Sequence, residues 1–292
     1  MRKSVGERVF DISNAFILLA LMIATLYPLL YVLFASVSNP GSLARARGIL
    51  LAPLGFSLDA FRAVFSNPAI TTGYRNTVFY VVAGTLINLV MTSLGAYVLS
   101  RKNLLWKTPL TLLIIFTLFF SGGLIPTYLL VGKTLGMTDT VWALLLPNAI
   151  STWNLLVLRT AFEAVPESLE EAARIDGAND FTILWRVIVP LSLPAMAVVT
   201  LFYAVGHWNS YFNALIFLRD RSLYPLQLIL REILIANSVQ GMTAGAASGD
   251  VEQLGETIKY ATVVVATLPI LLLYPFLQRF FVKGVLIGGV KE

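Results

Sequence analysis

Six carboxylates stand between residues 163 and 180: Glu163, Glu167, Glu170, Glu171, Asp176 and Asp180. They are six of only sixteen in a chain of 292 residues. Paired acids can run general acid–base catalysis, but no histidine or serine partners them here in a catalytic pattern. The residues between them read instead as a capped helix. Pro166 suits a first helical turn, where its missing N–H costs nothing. Glu167, Glu170 and Glu171 are favourable near the positive end of the helix dipole. Leu169, Ala172 and Ala173 form a small apolar face at i, i+3 and i+4. Gly177 fits the left-handed position that ends a helix. Asn179 or Asp180 can then cap a second helix that starts near Phe181 and runs past Pro190. A helix of about three turns is marginal alone in water, so docking on a partner would stabilise it.

Other chemical candidates are few. VGKT at 131–134 imitates the end of a phosphate-binding loop, but Thr127 stands where the full pattern needs its first glycine. It reads better as a membrane-edge turn with Lys133 at the interface. There is no cysteine, which excludes disulfides and thiolate metal sites. His207 is the single histidine, so a multi-histidine metal centre is excluded too. No catalytic constellation emerges, and the chain reads as a non-enzyme.

The elements that must position these groups are apolar. Hydrophobic residues make up 57% of the chain and charged residues 13%, where a soluble domain carries about 25% charged. The mean hydropathy is +0.79. A net charge of +5 could serve nucleic acid, but the cations are scattered between apolar runs and form no stripe, which excludes that partner. Membrane lipid is the implied solvent. Runs of about 20 apolar residues predict six spans: Ala15–Val37, Val78–Ser100, Pro109–Val131, Val141–Leu158, about Val187 to Phe212, and Ala261–Phe281. The first begins like a signal peptide but has a charge-free run too long for one. The prediction is an all-α polytopic membrane protein of one domain, residues 1–292. Its cytoplasmic loop is 159–186, and its long external loops are 38–77 and 213–260.

Six spans leave both termini on one side. Segments 1–14, 101–108, 159–186 and the tail after 278 each carry three Lys or Arg, twelve against nine elsewhere. The short segment RKNLLWK is the strongest anchor, and the rule places these segments, with both termini, in the cytoplasm.

The acidic loop carries a resemblance. Glu171, Ala172 and Ala173, then Gly177, then Val187, Val189 and Pro190 match the cytoplasmic motif of ABC importer membrane subunits, with valine at its two aliphatic positions. EAARIDGA, GHWNSYFNAL (206–215) and the C-terminal GGVKE are similar to the carbohydrate, maltose-type branch. Residues 256–284 resemble subunits that serve oligosaccharides. The resemblance implies a coupling helix that sits in a cleft of a cytoplasmic ATPase and drives the fifth span as a rigid continuation. Glu170, Glu171, Ala172, Ala173, Arg174, Asp176, Gly177 and Pro190 are its candidate residues. It also implies a bacterial inner membrane, a second homologous permease subunit forming a heterodimer, two ATPase subunits that bind ATP and Mg, an extracytoplasmic solute-binding protein, and no cofactor in this chain.

Polar groups inside spans are costly and mark pathways. Tyr203, Trp208, Asn209, Tyr211 and Asn213 on the fifth span and Asn154 on the fourth are the candidate substrate path. Aromatic rings with polar tips beside amides suit a saccharide, which has apolar C–H faces and polar edges. The same residues could instead form an interfacial belt or hold helices together. Arg45, Arg47 and Arg62 in the first external loop could favour an acidic saccharide, such as a uronate oligomer. The competing reading is an ion-coupled secondary sugar carrier, for which no internal repeat and no midplane charge is visible.

Overall fold

The computed structural model describes residues 4–46, 48–243 and 255–272. The motif GGVKE and the C-terminal end of the sixth predicted span lie outside the described residues, as does most of the small-residue stretch GMTAGAASG. Helices dominate, and among the described residues the only β pairing is a single bridge between Ser38 and Phe56. Three helices are long and apolar enough to cross a membrane: Val5–Ser36, Pro68–Ser100 and Gly255–Leu272. Two bent pairs, Lys107–Phe119 with Leu124–Thr134 and Asp180–Leu191 with Leu193–Trp208, bring the number to five if each is one span.

Three spans differ from the hydropathy reading. The third breaks at Phe120–Gly123, where Gly123 takes φ +86°, and its halves meet at 107°. The fourth is two short helices, Trp142–Leu145 and Thr152–Glu163, separated by a stretch containing Pro147. The fifth starts only at Leu193, because Ser192 ends the preceding segment and Pro194 sits in the next first turn, where it needs no donor. The 89° bend there means that the segment after the acidic loop is not collinear with the fifth span. Rigid continuity between them is therefore corrected. Hydropathy sees apolar runs and cannot see where backbone hydrogen bonding stops. The second span also starts earlier, at Pro68, and the predicted outer loop 213–260 contains an 18-residue helix, Leu226–Thr243.

The chain divides into two compact units. One groups the first 70 residues with Leu230–Leu268. Its core is Ala35, Leu43 and Leu50, and Tyr31 meets Tyr260 edge-on with ring centroids 5.7 Å apart. The Val5–Ser36 helix starts with a capping box between Ser4 and Glu7.

The other unit is built on Thr71–Ile229. Its largest cluster joins Ala96, Tyr97 and Leu99 to Leu155, Leu158 and Phe162, to Ile183 and Ile188, and to Met196, Val199 and Tyr203. The Pro68–Ser100 helix is its spine. Near its N-terminal end Asn76 donates to the carbonyls of Ser222 and Tyr224, and the Tyr80 hydroxyl donates to that of Leu223. Gly73 lets Leu226 and Ile229 approach so closely that a Cβ would lie 2.7 Å from Ile229 Cδ1.

Candidate functional site

Two places gather the polar groups of the second unit. The first is the acidic loop. Glu167–Ile175 is a helix with Glu167 and Glu170 in its first turn. Gly177 takes φ +83°, and the N–H groups of Gly177 and Ala178 donate to the carbonyls of Arg174 and Ala173 at 3.0 and 2.9 Å. That paired closure needs a left-handed residue and leaves few carbonyls orphaned. Asn179 then caps the next segment, accepting from the Thr182 N–H at 2.9 Å.

The loop helix has two faces. Glu170 is 6% exposed and pairs with the Arg101 guanidinium, which also lies over the Tyr97 ring at 4.5 Å. Ala173 and Ala178 pack against the main cluster. Lys102 reaches Glu167 at 2.5 Å, and the Tyr97 hydroxyl and Arg174 both donate to Asp180. Lys107 and Arg159 converge on Glu163 at 2.8 and 3.2 Å. On the opposite face Leu169, Glu171, Ala172 and Asp176 are exposed, as is Ile175 at 86%. Ile175 fills one of the three unspecified positions between Ala173 and Gly177, and Arg101 lies outside the motif, so the sequence reading singled out neither. Pro190 lies between this loop and the bend at Ser192.

The ion pairs set the local titration. Burial alone would raise the Glu163 carboxyl, but hydrogen bonds from Lys107 and Arg159 outweigh it and hold it below the ordinary carboxylate value. The hydrogen bond from Lys102 lowers Glu167 and raises Lys102.

The second place is a cavity of about 780 Å³. Trp153, Phe202, Tyr211 and Phe212 give it aromatic walls, and Asn148, Asn209 and Asn213 give it carboxamides. Among the described residues no Lys, Arg, Asp or Glu lines it. Asn154 and Tyr203 line it too, and both are nearly buried. Trp208 does not line it: its ring turns to Tyr74, with centroids 6.2 Å apart. Sequence reading singled out neither Phe202 nor Gly206, although they stand four apart on one helix face and Asn209, three further on, caps that helix.

Two polar rungs hold this cavity's shape. Asn88, fully buried, donates its amide to the carbonyls of Asn148 and Ala149 at 2.6 and 2.9 Å. Its oxygen faces His207 Nε2 at 2.6 Å, so that nitrogen carries the proton and Nδ1 is left as an acceptor. One turn on, Thr92 meets the Tyr203 hydroxyl at 2.7 Å, and that oxygen accepts the Ser151 N–H at 2.9 Å. These bonds satisfy backbone freed by the break at Asn148–Ser151, as non-helical backbone at membrane depth requires. A Cβ at Gly84 would overlap the His207 ring.

Residues 69–287 match the model of the family described as binding-protein-dependent transport system inner membrane component. The chain is 44% identical over 292 residues to the polygalacturonan/rhamnogalacturonan transport system permease protein YtcP of Bacillus subtilis, covering 98% of this chain and 99% of that one. It is 41% identical to protein LplC of the same organism, over 100% and 98% of the two chains. The crystal structure of a bacterial ABC transporter involved in the import of the acidic polysaccharide alginate superposes with a TM-score of 0.87 and 32% identity, covering 96% of this chain and 99% of that one.

Proposed function

The chain belongs to the family of binding-protein-dependent transport inner membrane components, and from that premise we propose that it is a permease subunit of an ATP-driven importer of acidic oligosaccharides. Such a subunit hydrolyses nothing itself. ATP and Mg are bound by two copies of a separate ATPase seated on the acidic loop. A second, homologous permease subunit completes the path, and an external binding protein delivers the saccharide. Both termini lie in the cytoplasm. The whole chain, 1–292, acts as one membrane domain.

The observation that carries this reading is the loop itself. Its inner face is pinned to the membrane bundle through Glu170, and its outer face offers Ala172 and Ile175 to a partner. Small Ala172 permits close approach, while the positive-φ closure at Gly177 fixes the direction of the next segment. The uronate preference is supported by the relatives, whose names include a polygalacturonan permease and an alginate importer. Within the cavity, aromatic walls suit pyranose C–H faces and the carboxamides suit hydroxyls and carboxylate oxygens.

Reconstitution tests the reading. The chain, purified with its copurifying subunits and placed in proteoliposomes with the binding protein inside or outside, is expected to take up labelled oligogalacturonate. Uptake should require ATP and stop with vanadate. Uptake driven by a proton or sodium gradient without ATP would instead establish an ion-coupled carrier and overturn it.

A further inference from the structure

The bend at Ser192 leaves open how motion of the acidic loop reaches the cavity. The segment after Gly177 meets the fifth span at 89°, so pushing the loop does not push that span along its axis. A second connection is straight. Glu170 on the loop helix is buried against Arg101, the residue following the Pro68–Ser100 helix. Arg101 is locked there by its donation to Ser100 Oγ at 2.8 Å and by the Tyr97 ring beneath it. Lys102–Glu167 and Tyr97–Asp180 flank the pair. The helix runs unbroken through its 33 residues with no interior proline. From Asn76 to Arg101 it spans about 37 Å at 1.5 Å per residue. Along that length it holds the outer loop through Asn76 and Tyr80 and the cavity wall through Asn88 and Thr92.

We propose that Arg101 and Glu170 form the strut through which the acidic loop moves the second span, so that drive reaches the cavity by way of Asn88 and Thr92. Both are positioning residues, since neither lines the cavity. The proposal rests on the permease reading above and deepens it. A buried pair with one member removed leaves an uncompensated charge and lets the two elements part. A pair kept only to fasten the loop would affect assembly, whereas a strut affects the ratio of sugar moved to ATP hydrolysed.

The experiment uses the whole reconstituted complex. Arg101→Gln and Glu170→Gln are each expected to lower oligosaccharide moved per ATP about tenfold, within the usual range of coupling between sites. The charge swap Arg101→Glu/Glu170→Arg is expected to recover most of it. The chain lacks cysteine, which permits a second readout that does not depend on removing the pair. Spin labels at the exposed positions Val98 and Ile175 should keep one distance distribution between the resting and vanadate-trapped complexes. A wild-type complex that transports without ATP overturns the permease reading and the strut with it. ATP-driven wild-type transport with unaltered stoichiometry in both Gln variants, or a 98–175 distance that changes on trapping, overturns the strut alone.

Discussion

Replacing Asn88 with leucine is the sharpest perturbation of the cavity. Leucine keeps the branched shape and the number of side-chain heavy atoms, although its methyl groups are bulkier, and all hydrogen bonding is lost. Three partners are orphaned: the carbonyls of Asn148 and Ala149, and His207 Nε2. An unsatisfied buried group costs about 1–3 kcal/mol, yet interhelical bonds in membranes average about 0.6 kcal/mol, and the adjoining cavity can hydrate some of the orphans. The expected loss is therefore about 2–3 kcal/mol in all. It should appear as a thermal midpoint several degrees lower for the purified complex in detergent, followed by intrinsic tryptophan fluorescence. The pairwise share can be isolated. Once Asn88 is leucine, His207→Ala should cost about 1 kcal/mol less than in the wild type, because its bond to Asn88 is already gone. An unchanged midpoint in Asn88→Leu, or strict additivity with His207→Ala, would refute the claim that Asn88 holds the break in the fourth span.

Three further outcomes are expected. Gly177→Pro removes the N–H that bonds Arg174 and forbids φ +83°; uptake should fall at least about tenfold with ATP hydrolysis retained, measured side by side in proteoliposomes. Trp208→Ala should destabilise by about 3–5 kcal/mol through the cavity left by a large buried ring while the uptake KM holds; Tyr211→Ala, on the cavity wall, should raise KM about tenfold, worth ~1.4 kcal/mol, with the midpoint unmoved. The Glu163 carboxyl is lowered in the folded chain, so its stabilising contribution is present above its unfolded pKa and lost as pH falls through the lowered value. Glu163→Gln should therefore flatten the acid limb of a midpoint-versus-pH curve below about pH 4.3.

Much of the acidic loop was legible because capping is local. Gly177 and Asn179 each act within four residues, and the structure puts both where their chemistry predicts, while Pro166 stands one position earlier than the first turn, as the N-cap of Glu167–Ile175. Which face of that helix turns inward was not legible. Glu170 looks like any solvated glutamate until Arg101, 69 positions away, is brought beside it. The bends were hidden for a related reason. Apolar composition says that a segment sits in lipid, but Asn88 and Tyr203 supply from other helices the hydrogen bonds that let the fourth span break. Trp208 shows the converse error of reading a motif as a surface. GHWNSY is contiguous in sequence, yet helical rotation turns His207 and Asn209 to the cavity and Trp208 to Tyr74.

The account turns on the acidic loop's outer face being where a separate ATPase pushes. Single cysteines at Ile175 and at Ala172, introduced one at a time into this cysteine-free chain, can be tested for cross-linking to the copurifying ATPase in the assembled importer. The prediction is an efficient cross-link from both positions that weakens or shifts on vanadate trapping, and none from a control cysteine at exposed Leu105. An assembly that transports with ATP while neither position cross-links would contradict it.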